Sequence, residues 1–198
     1  MTATMGKVPR DTSSYCGDGS SPFPGSDVSA SLPSRAHFET HVEVPAAPEA
    51  VFAYLDDHRR MAAHMTDRSW KMAFSRMTIS MDAKDGRAVG SRIALTGRIL
   101  GILLQVDETV TVYAPPVSKA WHTVGAPHLL VIGAYEMGFF IRPLPHGSAL
   151  TVFIDFALPD GGVSRVLGRL FGRVYARWCT NTMAGDALKH FDGPYHSV

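Results

Sequence analysis

A segment from about Val163 to Phe191 constrains this chain more than any other. Its apolar residues Val166, Leu167, Leu170, Phe171, Val174 and Trp178 recur at spacings of three and four, the period of one broad helical stripe, with Met183 five residues further on taken as its end. A nearly unbroken series of strand patterns precedes it. A stripe that wide needs an apolar partner, and the sheet encoded just upstream is the one the sequence offers. A long helix laid across a curved antiparallel sheet encloses a space, and such a space can hold a small hydrophobic molecule. The stripe is therefore expected to face inward.

Composition narrows the function classes. The 198 residues make one domain, or one domain with a tail, and 45% apolar content is ordinary for a globular chain. A formal net charge of +1 gives no global electrostatic case for nucleic acid. Cys16 and Cys179 form neither a disulfide framework nor a zinc signature, which fits a reducing compartment. No apolar run has the length of a membrane span, and Lys7 and Arg10 are not followed by an apolar h-region, so a cytoplasmic protein is expected.

Residues 1–35 are rich in Ser, Thr, Gly, Pro and Asp and offer little to offset ordering entropy, so they read as a disordered tail before a folded domain at 36–194. In the first strand Phe38, Thr40, Val42 and Val44 alternate with His37, Glu39, His41 and Glu43. Pro48 and Glu49 open a short helix carrying Val51, Phe52 and Leu55, and a second short helical piece spans about 59–65. Strand patterns follow at 70–81 (with a bulge near Ser75), 91–100, 102–113, 119–124, 129–141 and 150–158. Asp85-Gly86, Gly101 and His146-Gly147 mark turns. Short connections make sequential strands antiparallel neighbours. The expected class is α+β: a curved antiparallel sheet of about seven strands wrapped on a long C-terminal helix, with two short helices between strands 1 and 2.

Three segments carry a family resemblance. They are the strand-to-helix run from Phe38 to Phe52 containing Pro45-Ala46-Ala47-Pro48-Glu49-Ala50-Val51-Phe52, the strand Asp107–Ala114 ending in Pro115-Pro116, and the closing helix. On these the chain resembles the START-like, or SRPBCC, superfamily, which includes polyketide cyclases and the birch-pollen allergen group, over about residues 37–192. The resemblance implies a helix-grip fold. It implies no shared catalytic signature, since such proteins bind lipids, sterols, quinones, polyketides and plant hormones.

Glu108 is in phase with Ile102, Leu104, Val106, Val110 and Val112. On a concave face its carboxyl would lie among hydrocarbon with a raised pKa, fit to act as a general acid or to anchor a ligand hydroxyl. The alternatives are a place at the closed end, or pairing with Arg92 or Arg98. Tyr135 shares the phase of Gly133, Met137, Phe139 and Ile141, so its hydroxyl faces either a ligand or the backbone. The expected ligand-lining set is Met72, Phe74, Ile93, Leu95, Val106, Val110, Met137, Phe139, Phe171, Val174 and Trp178.

His37, Glu39 and His41 share one face of the first strand, a spacing compatible with a divalent ion. That face is polar throughout, so a solvated surface accounts for it, and neither metal nor cofactor is expected. Arg165, Arg169, Arg173 and Arg177 recur every four residues with no acid between Asp160 and Asp186. Toward anionic lipid they would contribute roughly 4 kcal/mol, enough for transient docking; the alternative is stems that cover the stripe's edge. Gly168 and Gly172 are expected to allow close helix-to-sheet packing.

Three readings follow. The first is a carrier of a hydrophobic small molecule, such as a lipid, quinone or polyketide-like compound, with transient contact to an anionic membrane. The second is an aromatase/cyclase-like enzyme using Glu108 and Tyr135. The third is a docking module working through the arginine row.

Overall fold

Alternation in the first strand becomes a layer. In a computed structural model that describes residues 35–58, 60, 76–99 and 102–193, β1 (Ala36–Val44) turns Phe38, Thr40, Val42 and Val44 inward and exposes His37, Glu39, His41 and Glu43. The exposed groups engage one another and β7: His41 Nε2 lies 3.0 Å from Glu39 Oε1, and His37 Nδ1 2.8 Å from Asp155 Oδ1.

After β1 come α1 (Pro48–Leu55), β2 (Arg76–Met81), β3 (Arg92–Ile99), β4 (Ile102–Ala114), β5 (Ser118–His128), β6 (Tyr135–Leu144), β7 (Gly147–Phe156) and α2 (Gly162–Asp192). The strands form one antiparallel sheet in the order β1-β7-β6-β5-β4-β3-β2. This is the expected α+β helix-grip architecture. The expected tail apart from residue 35, the second short helix apart from residue 60, the bulge near Ser75, the turn at Gly101, and Met72 and Phe74 lie outside the described residues.

One strand begins later than its hydropathy suggests. Leu129–Ala134 reads as strand, yet β5 continues to His128 and β6 starts only at Tyr135. Backbone groups here bond to the end of β7 instead, Gly133 N–H donating to Ala157 O and Ala157 N–H to Ala134 O, both at 2.8 Å. The apolar residues of this loop form a floor beneath α2; Ile132 packs with Ile154, Phe156 and Ala176.

The core lies between the concave sheet face and the two helices. Pro48 at the first turn pre-sets α1, whose Val51, Phe52 and Leu55 are buried. Phe52 meets Phe139 and Tyr113 edge-on at 5.5 and 5.9 Å and closes one end. Removing a side chain like Phe139 from water contributes about 2–3 kcal/mol.

The long helix lies over β1 and β7, but with a different face inward. Its buried residues are Gly168, Gly172, Ala176, Thr180, Met183, Ala184 and Ala187. Of the expected inward stripe only Met183 is buried; Val166, Leu170, Phe171 and Val174 are 51–66% exposed and Trp178 37%. Close approach decides this. A Cβ on Gly168 would sit 2.6 Å from Pro159 Cδ, and one on Gly172 3.0 Å from Val131 O. Only a face without side chains fits there, as expected for the two glycines. The bulky residues are thereby turned outward. Further along, the Thr40 hydroxyl lies within hydrogen-bond distance of Thr180 Oγ1 and Asn181 Oδ1, at 2.9 and 2.8 Å.

Candidate polar site on the concave face

Strand register gathers most of the expected lining. Ile93 faces Glu108 across β3 and β4, Leu95 faces Val106, Val110 faces Trp121, and Trp121 faces Met137 across β5 and β6. Glu108, Ile93, Leu95, Val106, Val110 and Phe139 are all buried. Phe171, Val174 and Trp178, expected in the same lining, stand on the outer side of α2 and do not join it. Arg165, Arg169, Arg173 and Arg177 are exposed along that helix.

Glu108 points inward at 5% exposure, as its phase requires. Neither Arg92 nor Arg98 pairs with it; both are exposed and sit opposite Thr109 and Leu103. Its partners are neutral donors. The Tyr135 hydroxyl donates to Glu108 Oε1, and the Trp121 side chain also hydrogen-bonds the carboxyl. Tyr135 is held in place by Thr123, whose Oγ1 accepts the Tyr135 backbone N–H at 3.1 Å where the β5–β6 ladder ends. The hydroxyl expected to face a ligand or the backbone bonds a side chain, the Glu108 carboxyl.

Among the described residues no cation offsets the desolvation of this buried carboxyl. Burial pushes Glu108 from 4.5 to about 7, against the opposing pull of the Tyr135 and Trp121 hydrogen bonds. It is therefore poised between acid and carboxylate near neutrality. Burial and the adjacent Glu108 hold the Tyr135 hydroxyl well above its usual range, so it stays a proton donor.

From the helix side come Tyr175 and Cys179, four residues apart and hydrogen-bonded to each other. The Cys179 sulfur, then burial, raises Tyr175 well above its usual range, and the Glu108 charge acts in the same direction. Burial pushes the Cys179 thiol up to about 12, so it is a packed thiol and no nucleophile. Glu108, Tyr135, Trp121, Tyr175 and Cys179 thus form one polar group within an apolar interior.

A second polar group lies nearer α1. Lys119, fully buried, donates to Asp56 Oδ1 at 2.5 Å and faces His58 Nδ1 at 3.1 Å. The Tyr113 hydroxyl (3.1 Å) and the Arg87 guanidinium (3.3 Å) complete the bonding of Asp56 Oδ2. Burial, then the Lys119 charge, pushes His58 down to about 3, so its ring is neutral. The ring also hydrogen-bonds the Asp56 backbone, which leaves its Nε2 to account for. That Nε2 is buried without a partner among the described residues. The His58 ring stands edge-on to Trp121 with centroids 5.0 Å apart, so Trp121 adjoins both groups.

Sequence reasoning missed Trp121, Tyr175, Cys179 and the Lys119–Asp56–His58 group. Signals were present: Lys119, Trp121 and Thr123 share one strand phase, and Tyr175 and Cys179 share a helix face.

A long helix closed over an antiparallel sheet, with isolated polar groups in an apolar interior, defines a helix-grip ligand-binding domain. Comparison with known proteins makes the assignment specific. Residues 35–187 match the model of the family described as polyketide cyclase/dehydrase and lipid transport, and the chain belongs to that family. Among solved structures it is similar to the Zhui aromatase/cyclase from Streptomyces sp. R1128, at 15% identity and TM-score 0.58, covering 83% of this chain and 100% of the other. It is also similar to norcoclaurine synthase from Thalictrum flavum in complex with dopamine and hydroxybenzaldehyde, at 12% identity and TM-score 0.54, covering 83% and 90%. At these identities the likeness concerns the fold. No curated protein matches the sequence.

Proposed function

We propose that this protein binds a hydrophobic small molecule against the concave sheet face, with Glu108 and Tyr135 as its polar anchor. One observation supports this above the others: Glu108 is buried, and its partners among the described residues are neutral donors with no cation. A carboxyl in that setting destabilises the fold, which makes it a candidate for a functional role. The apolar partners Ile93, Leu95, Val106, Val110, Met137 and Phe139 suit a hydrocarbon or aromatic body, and the Glu108–Tyr135 pair suits a hydroxyl or carbonyl on it. Of the similar proteins named above, one is an aromatase/cyclase and the other holds dopamine and hydroxybenzaldehyde, which favours an aromatic or polyketide-like ligand.

The carrier reading is tested by native mass spectrometry of the purified protein with organic extraction, and by titration with the fluorophore 1-anilinonaphthalene-8-sulfonate. Co-purifying compound or saturable uptake is expected, with Glu108→Gln and Tyr135→Phe weakening it. Absence of both extractable compound and saturable uptake overturns it.

A second reading has its own support. A carboxyl at about 7 is suited to give and take protons at neutral pH, the requirement for a cyclase- or aromatase-like enzyme. Tyr135 would orient the carbonyl being protonated. Turnover of an aromatic polyketide mimic that is lost in Glu108→Gln, while the mimic still binds, favours the enzyme over the carrier. Equal turnover in the variant refutes it.

A further inference from the structure

From the outer face of α2 we infer that this helix seats the protein on an anionic membrane surface, with its apolar stripe in the lipid and its arginines among the headgroups. Val163, Val166, Leu170, Phe171 and Val174 are 51–78% exposed, and Trp178 extends the same side of the helix at 37%. From residue 163 to 178 the stripe spans about 22 Å at the α-helical rise. The fold does not need it, because Gly168, Gly172, Ala176 and Thr180 already hold the opposite side to the sheet and the 129–134 loop. An exposed stripe of this kind marks an interaction surface.

Charge decides which occupant it takes. Arg165, Arg169, Arg173 and Arg177 run along one flank of the stripe, between it and the buried seam, and no Asp or Glu occurs from residue 161 to 185. A second copy packed helix against helix would bring two arginine rows together with no acid on either to pair them. An acidic protein would satisfy the arginines and leave the aliphatic stripe without a reason. A lipid surface satisfies both at once: valine, leucine and phenylalanine enter the acyl boundary while guanidinium groups meet phosphates. No helix among the described residues is long and apolar enough to cross a membrane, so α2 lies on the bilayer plane. Because Tyr175 and Cys179 project from this helix toward Glu108, the docked face is the outer side of the cover over the polar site.

The test is flotation of the full chain with vesicles of phosphatidylcholine alone and of phosphatidylcholine with phosphatidylglycerol, using the parent, the pair Leu170→Ser with Phe171→Ser, and the pair Arg169→Gln with Arg173→Gln. The parent is expected to bind the anionic vesicles and to release with salt. The apolar pair should weaken binding by about a hundredfold and the arginine pair by about thirtyfold. All these positions are exposed, so thermal unfolding should be unchanged and serves as the control for folding. Three results overturn the inference. One is no binding to anionic vesicles. Another is vesicle binding that the apolar pair does not reduce, which would point to charge alone. The last is a parent that is dimeric without lipid and becomes monomeric in the apolar pair, which would make a second copy the occupant.

Discussion

Two buried carboxylates in this interior are treated in opposite ways. Asp56 lies at the end of α1 with a fully buried ammonium at 2.5 Å, a tyrosine hydroxyl and a guanidinium around it, so each of its oxygens has a partner. Glu108 lies on the concave sheet surface with two neutral donors and, among the described residues, no cation. The difference teaches which group the fold uses and which it tolerates. A cation and several hydrogen bonds make Asp56 part of the scaffold that ties α1 to β5. Burial without a counter-charge leaves Glu108 as a local expense that the rest of the core must offset.

The largest test of this contrast removes the cation. Lys119→Met should destabilise the protein by about 3–5 kcal/mol, because it leaves the Asp56 carboxylate buried and short of its main partner. Urea unfolding at neutral pH measures it; a loss under 1 kcal/mol would mean that Arg87 alone suffices. Replacing Glu108 should have the opposite sign. The folded carboxyl titrates at about 7 against 4.5 for the free group, so its proton is held more tightly in the native state. Its stability contribution is therefore fully present below about pH 4.5 and is lost as pH rises toward 7, a change of about 3 kcal/mol. Glu108→Gln removes the charge and leaves one carbonyl oxygen to accept from these donors. Melting measured across this range should show the variant gaining on the parent as pH rises, and parallel curves would refute the assignment. Smallest is Tyr135→Phe, which should lose about 1 kcal/mol of hydrogen bonding and raise the Glu108 midpoint further, since this donor favours the ionised form.

His58 sharpens the contrast from the acid side. Its folded pKa lies below the ordinary imidazole value, so its contribution is present above about 6.5 and is lost as pH falls toward 3. Acid unfolding should begin in that window, and His58→Phe should shift its onset to lower pH. An unshifted onset would move the acid sensitivity to another group.

Much of the scaffold was legible because alternation fixes faces. Glu108 followed directly from the period of β4, and the inward side of β1 from Phe38, Thr40, Val42 and Val44. The orientation of α2 was not legible from hydropathy. Periodicity reports that Val166, Leu170 and Val174 lie together, and it is silent on whether they meet the sheet or face away from it. Gly168 and Gly172 held that information, through how near the backbones come. The Lys119 group escaped for a different reason. A buried lysine looks like a surface lysine until its partners Asp56 and His58 arrive from the end of α1, across contacts that span 63 and 61 residues.

The most direct test of the central claim follows the Glu108 side chain itself. Carbon-13 NMR of its carboxyl, assigned by comparison with Glu108→Gln, should show a titration midpoint near 7 in the native protein. A midpoint near the free-group value of 4.5 would contradict the account, since it would place this carboxylate in water or beside a cation and remove the basis for its role as an interior anchor.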